Sequence, residues 1–294
     1  MNLSGLTNYK NKNGYPPSIC VELIKKCNLT CPYCRSGSSP FEKDFLEFAT
    51  LSKLLSDLSQ ICKWRISLTG GEPLLYSHLP NLIEQIVSHY YPFCLTTNGT
   101  QPISKLQRIP KEFWAKATLK ISIDGNREIH DSYRGKGNYD KTINFIKEAR
   151  SFIPRLIINS VLIQDGKIWG EEMYEVLNEL KVDRWTVISP MRFETWNSTL
   201  EGLIKESYIN QYNFFQKISA DKKAELKVSF LDYSTISTTR QDIVFIKSNG
   251  QVFLPEMYEP NIYSPKKVSY KSENVVNEIL IAANSFIETN KYIQ

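Results

Sequence analysis

Six short runs rich in β-branched and aromatic residues alternate along this chain with longer amphipathic runs, and that alternation narrows the possible folds more than any other feature. The extended runs are Ile19–Ile24, Arg65–Leu68, Phe93–Thr97, Leu119–Ile123, Leu156–Ile163 and Trp185–Ile188. Helical spacing fills Lys43–Ile61, Leu79–Tyr90, Pro110–Ala117, Tyr139–Phe152, Glu171–Leu180 and, less regularly, Leu200–Ala224. Repeated strand–helix units demand a parallel sheet with helices covering it. Six units fall short of the eight that close a full barrel. The pattern therefore predicts an α/β chain, a partial (β/α)6 TIM-like barrel.

The pattern changes near residue 225. Leu226–Leu231, Asp242–Lys247 and Gln251–Leu254 read as short strands, with a hairpin turn at Ser248-Asn-Gly250, and Glu273–Thr289 reads as a closing helix. The expected organisation is an N-terminal segment at 1–17, a barrel at 18–224 and a small α+β C-terminal extension at 225–294. With 294 residues the chain can bury a full core without disulfides. Its net charge of +5 is dispersed, so no basic stripe predicts a nucleic-acid partner. No segment is long and apolar enough to span a bilayer. No leader-like run precedes the cysteines, so a cytoplasmic setting with reduced thiols is expected.

Three of the six cysteines cluster at Cys27, Cys31 and Cys34, directly after the first strand. The loops after strand ends build the active site in parallel α/β folds. Three thiolates on one loop can hold three corners of an iron–sulfur cube and leave the fourth iron open. Zinc would want a fourth Cys or His, and the nearest histidine in sequence is His78. A C-x2-C redox pair would leave Cys27 without a role. From spacing and position alone the cluster is the favoured reading, with zinc, a redox pair or chance as the alternatives.

Other strand ends carry polar groups. Leu68-Thr-Gly-Gly-Glu-Pro73 offers Gly70 and Gly71 for close backbone approach and Glu72 as a carboxylate for a cationic amine. Thr97-Asn-Gly99 presents Asn98 after the third strand. Ser122 and Asp124 are two apart and share a face at the fourth. Arg134 suits a bidentate pair with a carboxylate. For each the plain alternative is an ordinary turn, cap or salt bridge.

In this order the pieces resemble the radical S-adenosylmethionine (radical SAM) superfamily, from Ile19 to about Met191. The C-x3-C-x2-C loop with Tyr33 before its third cysteine, Gly-Gly-Glu-Pro at 70–73, Thr-Asn-Gly at 97–99 and Ser-Ile-Asp-Gly at 122–125 carry the likeness. The run from Ser122 to Gly135 resembles the branch of anaerobic sulfatase maturases and peptide-modifying enzymes. The resemblance implies that Cys27, Cys31 and Cys34 ligate a [4Fe–4S] cluster whose open iron chelates SAM. It implies that Gly70, Gly71 and Glu72 meet the SAM amino group. Ser122 and Asp124 would contact ribose or methionine, Arg134 the carboxylate, and Tyr33 the adenine through its backbone. Asn98 and Asn159 are further cofactor candidates. One electron would split SAM into methionine and a 5′-deoxyadenosyl radical that abstracts hydrogen from a substrate. An external donor such as flavodoxin or ferredoxin is implied.

The C-terminal extension resembles the SPASM or twitch extension of that branch, yet no cysteine lies beyond Cys94. It reads as a cluster-free remnant, and no auxiliary cluster can be ligated there by cysteine. Glu22, mid-strand among apolar neighbours, is expected to face the barrel mouth and, with Arg192, Glu256 and Tyr258, to meet substrate. By family analogy the substrate is a ribosomally made peptide, cross-linked or epimerised. A small-molecule substrate is the rival, and a non-catalytic binding protein of the same fold the third reading.

Overall fold

The computed structural model describes residues 17–89, 92–163, 165–189, 208–221, 226–231, 244–254 and 266–290. Two compact units make up the chain. Residues 1–26, 41–95 and 237–294 form the first, and residues 27–40 and 96–236 the second.

In the first unit, β1 (Ser18–Glu22) is followed by α1 (Phe48–Ser59), β2 (Arg65–Thr69), a 3-10 turn (Pro73–Leu75), α2 (Leu79–His89) and the start of β3 (Phe93–Thr97). β1 is buried along its whole length, as a strand covered on both faces must be. It pairs in parallel with β2, Cys20 opposite Ser67, and β2 pairs in parallel with β3, Ser67 opposite Cys94. α1 buries Leu51, Leu54, Leu55 and Leu58, and α2 buries Leu79, Leu82, Ile83 and Ile86. Both sets follow the i, i+3, i+4, i+7 spacing that places one apolar stripe against a sheet.

The second unit contains the cysteine loop, then α3 (Ser104–Gln107), a 3-10 segment (Lys111–Lys116), β4 (Thr118–Ser122), α4 (Arg127–Arg134), α5 (Asn138–Arg150), β5 (Leu156–Val161), α6 (Gly170–Glu179), β6 (Arg184–Ile188), α7 (Tyr208–Asp221) and β7 (Lys227–Leu231). β4 to β7 form one parallel ladder. Its helix-covered face carries Ile121, Ile158 and Trp185, all fully buried. Trp185 packs on Trp169 and on Phe215 of α7, with ring centroids 6.0 and 5.3 Å away. Strand alternation then places Ser122, Asn159, Thr186 and Ser229 in register on the opposite face, as one half-buried polar row.

The remaining elements belong to the first unit: β8 (Val244–Ile246), β9 (Gln251–Leu254), β10 (Lys266–Ser269) and α8 (Val275–Asn290). β8 pairs in parallel with β1, and β9 and β10 follow antiparallel. The expected turn forms at Ser248–Gly250. Gly250 takes φ +82°, and a Cβ there would fall 2.5 Å from the Tyr270 ring.

Four expectations shift. Residues 43–47 are not helical: Ile24 bridges Phe45 and Lys25 N–H donates to the Asp44 carbonyl, so this stretch pairs with the end of β1 and delays α1 to Phe48. The 110–117 run is a 3-10 segment. α4 and β10 were not anticipated. The strand Lys227–Leu231, read as the start of the extension, instead continues the barrel ladder beside β6.

Candidate active site

The cysteine loop in the second unit is held by its own backbone. Cys27 N–H donates to Ser39 O at 3.0 Å, and Cys34 N–H to Cys31 O at 3.1 Å. Amide donors also point at sulfur: Leu29 N–H and Asn98 Nδ2 to Cys27 Sγ, at 3.4 and 3.7 Å, and Ser38 N–H to Cys34 Sγ at 3.4 Å. Asn98 thereby braces the loop. Its Nδ2 also donates to Asn28 Oδ1 at 3.1 Å, and its Oδ1 accepts from Thr100 N–H and Oγ1 at 2.9 and 2.7 Å. Cys27 is buried, and Cys31 and Cys34 are half-buried. Burial pushes the Cys31 thiol up, with Arg134 opposing, so iron binding there must displace a proton.

Among the described residues no three His, Cys, Asp or Glu side chains form a set that would hold one ion. A single zinc needs its sulfurs about 2.3 Å from one centre. A cube takes each sulfur on a separate iron. Amides aimed at two of the three sulfurs fit a thiolate-held cluster, whose charge they offset and whose potential they set. Asn98→Asp keeps the acceptor for Thr100 and removes the donor to Cys27. Its cluster midpoint potential is expected to fall, on the order of tens of millivolts. An EPR-monitored redox titration checks this, and an unchanged potential would refute the role.

A second group in the same unit centres on Asp124, just past β4. Its Oδ2 accepts from the Tyr33 hydroxyl and from Arg134 Nε, and its Oδ1 accepts from Val161 N–H at 2.6 Å. Its own N–H donates to His130 Nδ1 at 3.1 Å. The Tyr33 ring stands edge-on to Tyr133, and the Arg134 guanidinium carbon lies 5.8 Å from its centroid. Burial pushes the Tyr33 phenol well above its usual range, so it stays a neutral donor. Burial alone would lower Arg134, but the Asp124 carboxylate beside it holds it well above its usual value. Ser122 and Asn159 lie opposite each other across β4 and β5, half-buried.

In the first unit, the glycine pair makes a close approach to the chain itself. Gly71 N–H donates to Ile24 O, and Glu72 N–H to Lys26 O at 3.0 Å. Gly70 takes φ +155°, which side chains rarely adopt. The Glu72 side chain is buried and caps the 3-10 turn, Oε1 accepting from Leu74 N–H at 3.0 Å. Glu22, expected at an open barrel mouth, is 4% exposed, and its Oε1 accepts from Ser248 Oγ at 2.6 Å. A carboxylate inside the sheet has to be paired, and the β8–β9 turn supplies the partner, so Glu22 ties the extension to β1. Arg192, Glu256 and Tyr258 lie outside the described residues.

Sequence reading did not select Asn28, Thr100, His130, Val161 or Tyr133 for this site. Thr100 and Asn28 have a local signal, lying beside Asn98 and Cys27. The Val161 amide has none, because any residue supplies an N–H. Of the lone cysteines, Cys20, Cys62 and Cys94 are buried, and burial pushes the Cys62 thiol up to about 12.

Comparison with known proteins bears on this geometry. The model of the radical SAM superfamily matches residues 21–187. The chain is 28% identical over 145 residues to the mycofactocin maturase MftC of Mycolicibacterium smegmatis, covering 46% of this chain and 35% of that protein. It is 26% identical over 224 residues to a GTP 3′,8-cyclase of Rhizobium leguminosarum bv. trifolii, covering 73% and 61%. The chain thus spans less than two thirds of either relative. Among solved structures, Streptococcus suis SuiB bound to precursor peptide SuiA aligns with a TM-score of 0.68 at 16% identity, over 90% of this chain and 65% of that one. At that identity the likeness is one of fold, and it bears out the partial (β/α)6 barrel with its C-terminal extension. Among the described residues no helix is long and apolar enough to cross a membrane.

Proposed function

Because the chain belongs to the radical SAM superfamily, we propose that it binds a [4Fe–4S] cluster through Cys27, Cys31 and Cys34, cleaves SAM reductively and abstracts hydrogen from a ribosomally made peptide. When bound, the cluster supplies the electron that splits SAM into methionine and a 5′-deoxyadenosyl radical. The observation that carries this reading is the pairing, within one unit, of a cysteine loop with amides aimed at its sulfurs and an arginine with an open guanidinium edge.

The chain's own residues then have distinct tasks. Arg134 holds the SAM carboxylate. Ser122 and Asn159, half-buried and without a side-chain hydrogen bond among the described residues, take the ribose and methionine contacts. Backbone groups around Gly70–Glu72 serve the amino group. A reduced flavodoxin or ferredoxin delivers the electron. The maturase relative supports a peptide substrate, for cross-linking or epimerisation.

Anaerobic reconstitution tests the reading. The chain is expected to take up four irons and, with SAM and dithionite, to release 5′-deoxyadenosine. A chain that binds no four-iron cluster, or releases none, would leave a non-catalytic fold. Transfer of deuterium from a labelled peptide into 5′-deoxyadenosine identifies the attacked carbon.

A nucleotide substrate is the second reading, favoured by the longer match to a GTP 3′,8-cyclase. Deuterium transfer from labelled GTP, and none from peptide, would select it.

A further inference from the structure

Asp124 accepts three hydrogen bonds through its carboxylate, all from the protein itself, and they leave neither oxygen open to a ligand. Its side chain is 0% exposed, whereas that of Arg134 is 10% exposed. Both carboxylate oxygens are engaged by donors from three elements: Tyr33 on the cysteine loop, Arg134 at the end of α4 and the Val161 amide at the end of β5. Its backbone is fixed as well, since its N–H is held by His130 of α4. Arg134 is used from one side only. Its Nε faces Asp124, and among the described residues its two Nη nitrogens have no hydrogen-bond partner. A guanidinium presents five donors in a fixed fork, so fixing Nε also fixes where the Nη pair points.

We propose that Asp124 is a positioning residue that never touches SAM: it clamps Arg134 by Nε and Tyr33 by its hydroxyl, aims the Nη edge at the ligand carboxylate and couples that edge to the cysteine loop. This rests on the SAM reading of the site and deepens it. Asp124 thereby leaves the ribose contacts to Ser122 and Asn159. The alignment also explains why a carboxylate is needed. An asparagine can offer one acceptor oxygen, and three donors compete for it. The buried guanidinium would also lose the charge that holds it in place.

The test separates the two halves of the ligand. Methionine carries the carboxylate and no nucleoside, and 5′-deoxyadenosine carries the ribose and no carboxylate. In the cluster-loaded chain, Asp124→Asn is expected to weaken SAM and methionine about tenfold, the worth of one charge-assisted contact, and to leave 5′-deoxyadenosine unchanged. In an Arg134→Gln background, the same substitution is expected to weaken SAM no further, because Asp124 works through that side chain. Tyr33→Phe removes only the hydroxyl and gives an independent check should Asp124→Asn fold poorly. It is expected to weaken methionine and spare 5′-deoxyadenosine. Loss of 5′-deoxyadenosine affinity in either variant, or full additivity with Arg134→Gln, would overturn the role and return Asp124 to the ribose. Unchanged SAM affinity in Asp124→Asn overturns it alone. A wild-type chain that holds its cluster and binds none of the three ligands overturns the SAM reading with it.

Discussion

Replacing Gly71 by alanine is expected to cost this chain both stability and iron. A Cβ at Gly71 would fall 2.2 Å from the Lys26 carbonyl oxygen and 2.5 Å from that of Lys25. Both are backbone atoms, so no rotamer relieves the overlap. The glycine is there because Gly71 and Glu72 donate to the carbonyls of Ile24 and Lys26. Room for a methyl requires shifting residues 24–26, which run directly into Cys27. Overpacking of this kind typically costs about 1–3 kcal/mol, and a clash with rigid backbone belongs at the upper end. The contrast is Gly137→Ala, where nothing lies within 4 Å and only the positive φ of +79° is strained. That variant is expected to lose about 1 kcal/mol. Urea unfolding of the SAM-free chains and iron content after reconstitution measure both effects. If Gly71→Ala matches Gly137→Ala in stability and iron, the glycine serves ligand approach and not the packing of the strand end.

That glycine pair shows how far the sequence carries. Its identity and its place after the second strand were legible, because strand alternation and turn chemistry are local. Which atom it lets approach was not. Sequence allowed a ligand, and the structure supplies the chain's own Lys26. The fold divides the same way. β3 and α2 follow from spacing within a few residues. α4 has no apolar stripe, and its start depends on Asn126 accepting from Ile129 N–H. β7 is a strand by composition, but its place beside β6 is a pairing across the intervening α7, which no local pattern encodes.

The site repeats the lesson. Tyr33, Asp124 and Arg134 were all selected, each as a separate contact to SAM. Their mutual hydrogen bonds join residues 91 and 10 positions apart, and Val161 adds a backbone donor 37 positions from Asp124. A buried carboxylate must be satisfied wherever it sits. The sequence shows that Asp124 needs donors without showing that the protein itself provides them all. Glu22 makes the same point in the first unit, where Ser248, 226 positions on, occupies the carboxylate expected to meet substrate.

Acid is expected to unfold this chain through His130 before most other groups respond. His130 is fully buried, its Nδ1 accepts from Asp124 N–H, and among the described residues its Nε2 has no hydrogen-bond partner. Burial, with Arg134 adding, drops its pKa from 6.5 to about 4, against the opposing pull of Asp124 and Asp131. Between those values the unfolded chain binds a proton that the folded chain refuses. Stability is therefore full above pH 6.5 and is lost as pH falls toward about 4, by about 3 kcal/mol in all. Protonation would also place an N–H on Nδ1 facing the Asp124 amide, donor against donor. His130→Asn keeps an acceptor for that amide and cannot titrate. At neutral pH it is expected to be less stable by about 1–2 kcal/mol, for the lost ring volume. Across the acid window it is expected to lose about 3 kcal/mol less than the wild type, because carboxylates held low elsewhere, such as Asp140 and Asp165, titrate in both chains and cancel. Urea unfolding of both chains through that range gives the comparison, and parallel curves would remove His130 as the acid-sensitive group. The same ring fixes Asp124, and folded His130 takes its proton only near pH 4, so SAM affinity of the folded wild type should hold through that window and fall only as pH reaches about 4, a fall that the variant lacks.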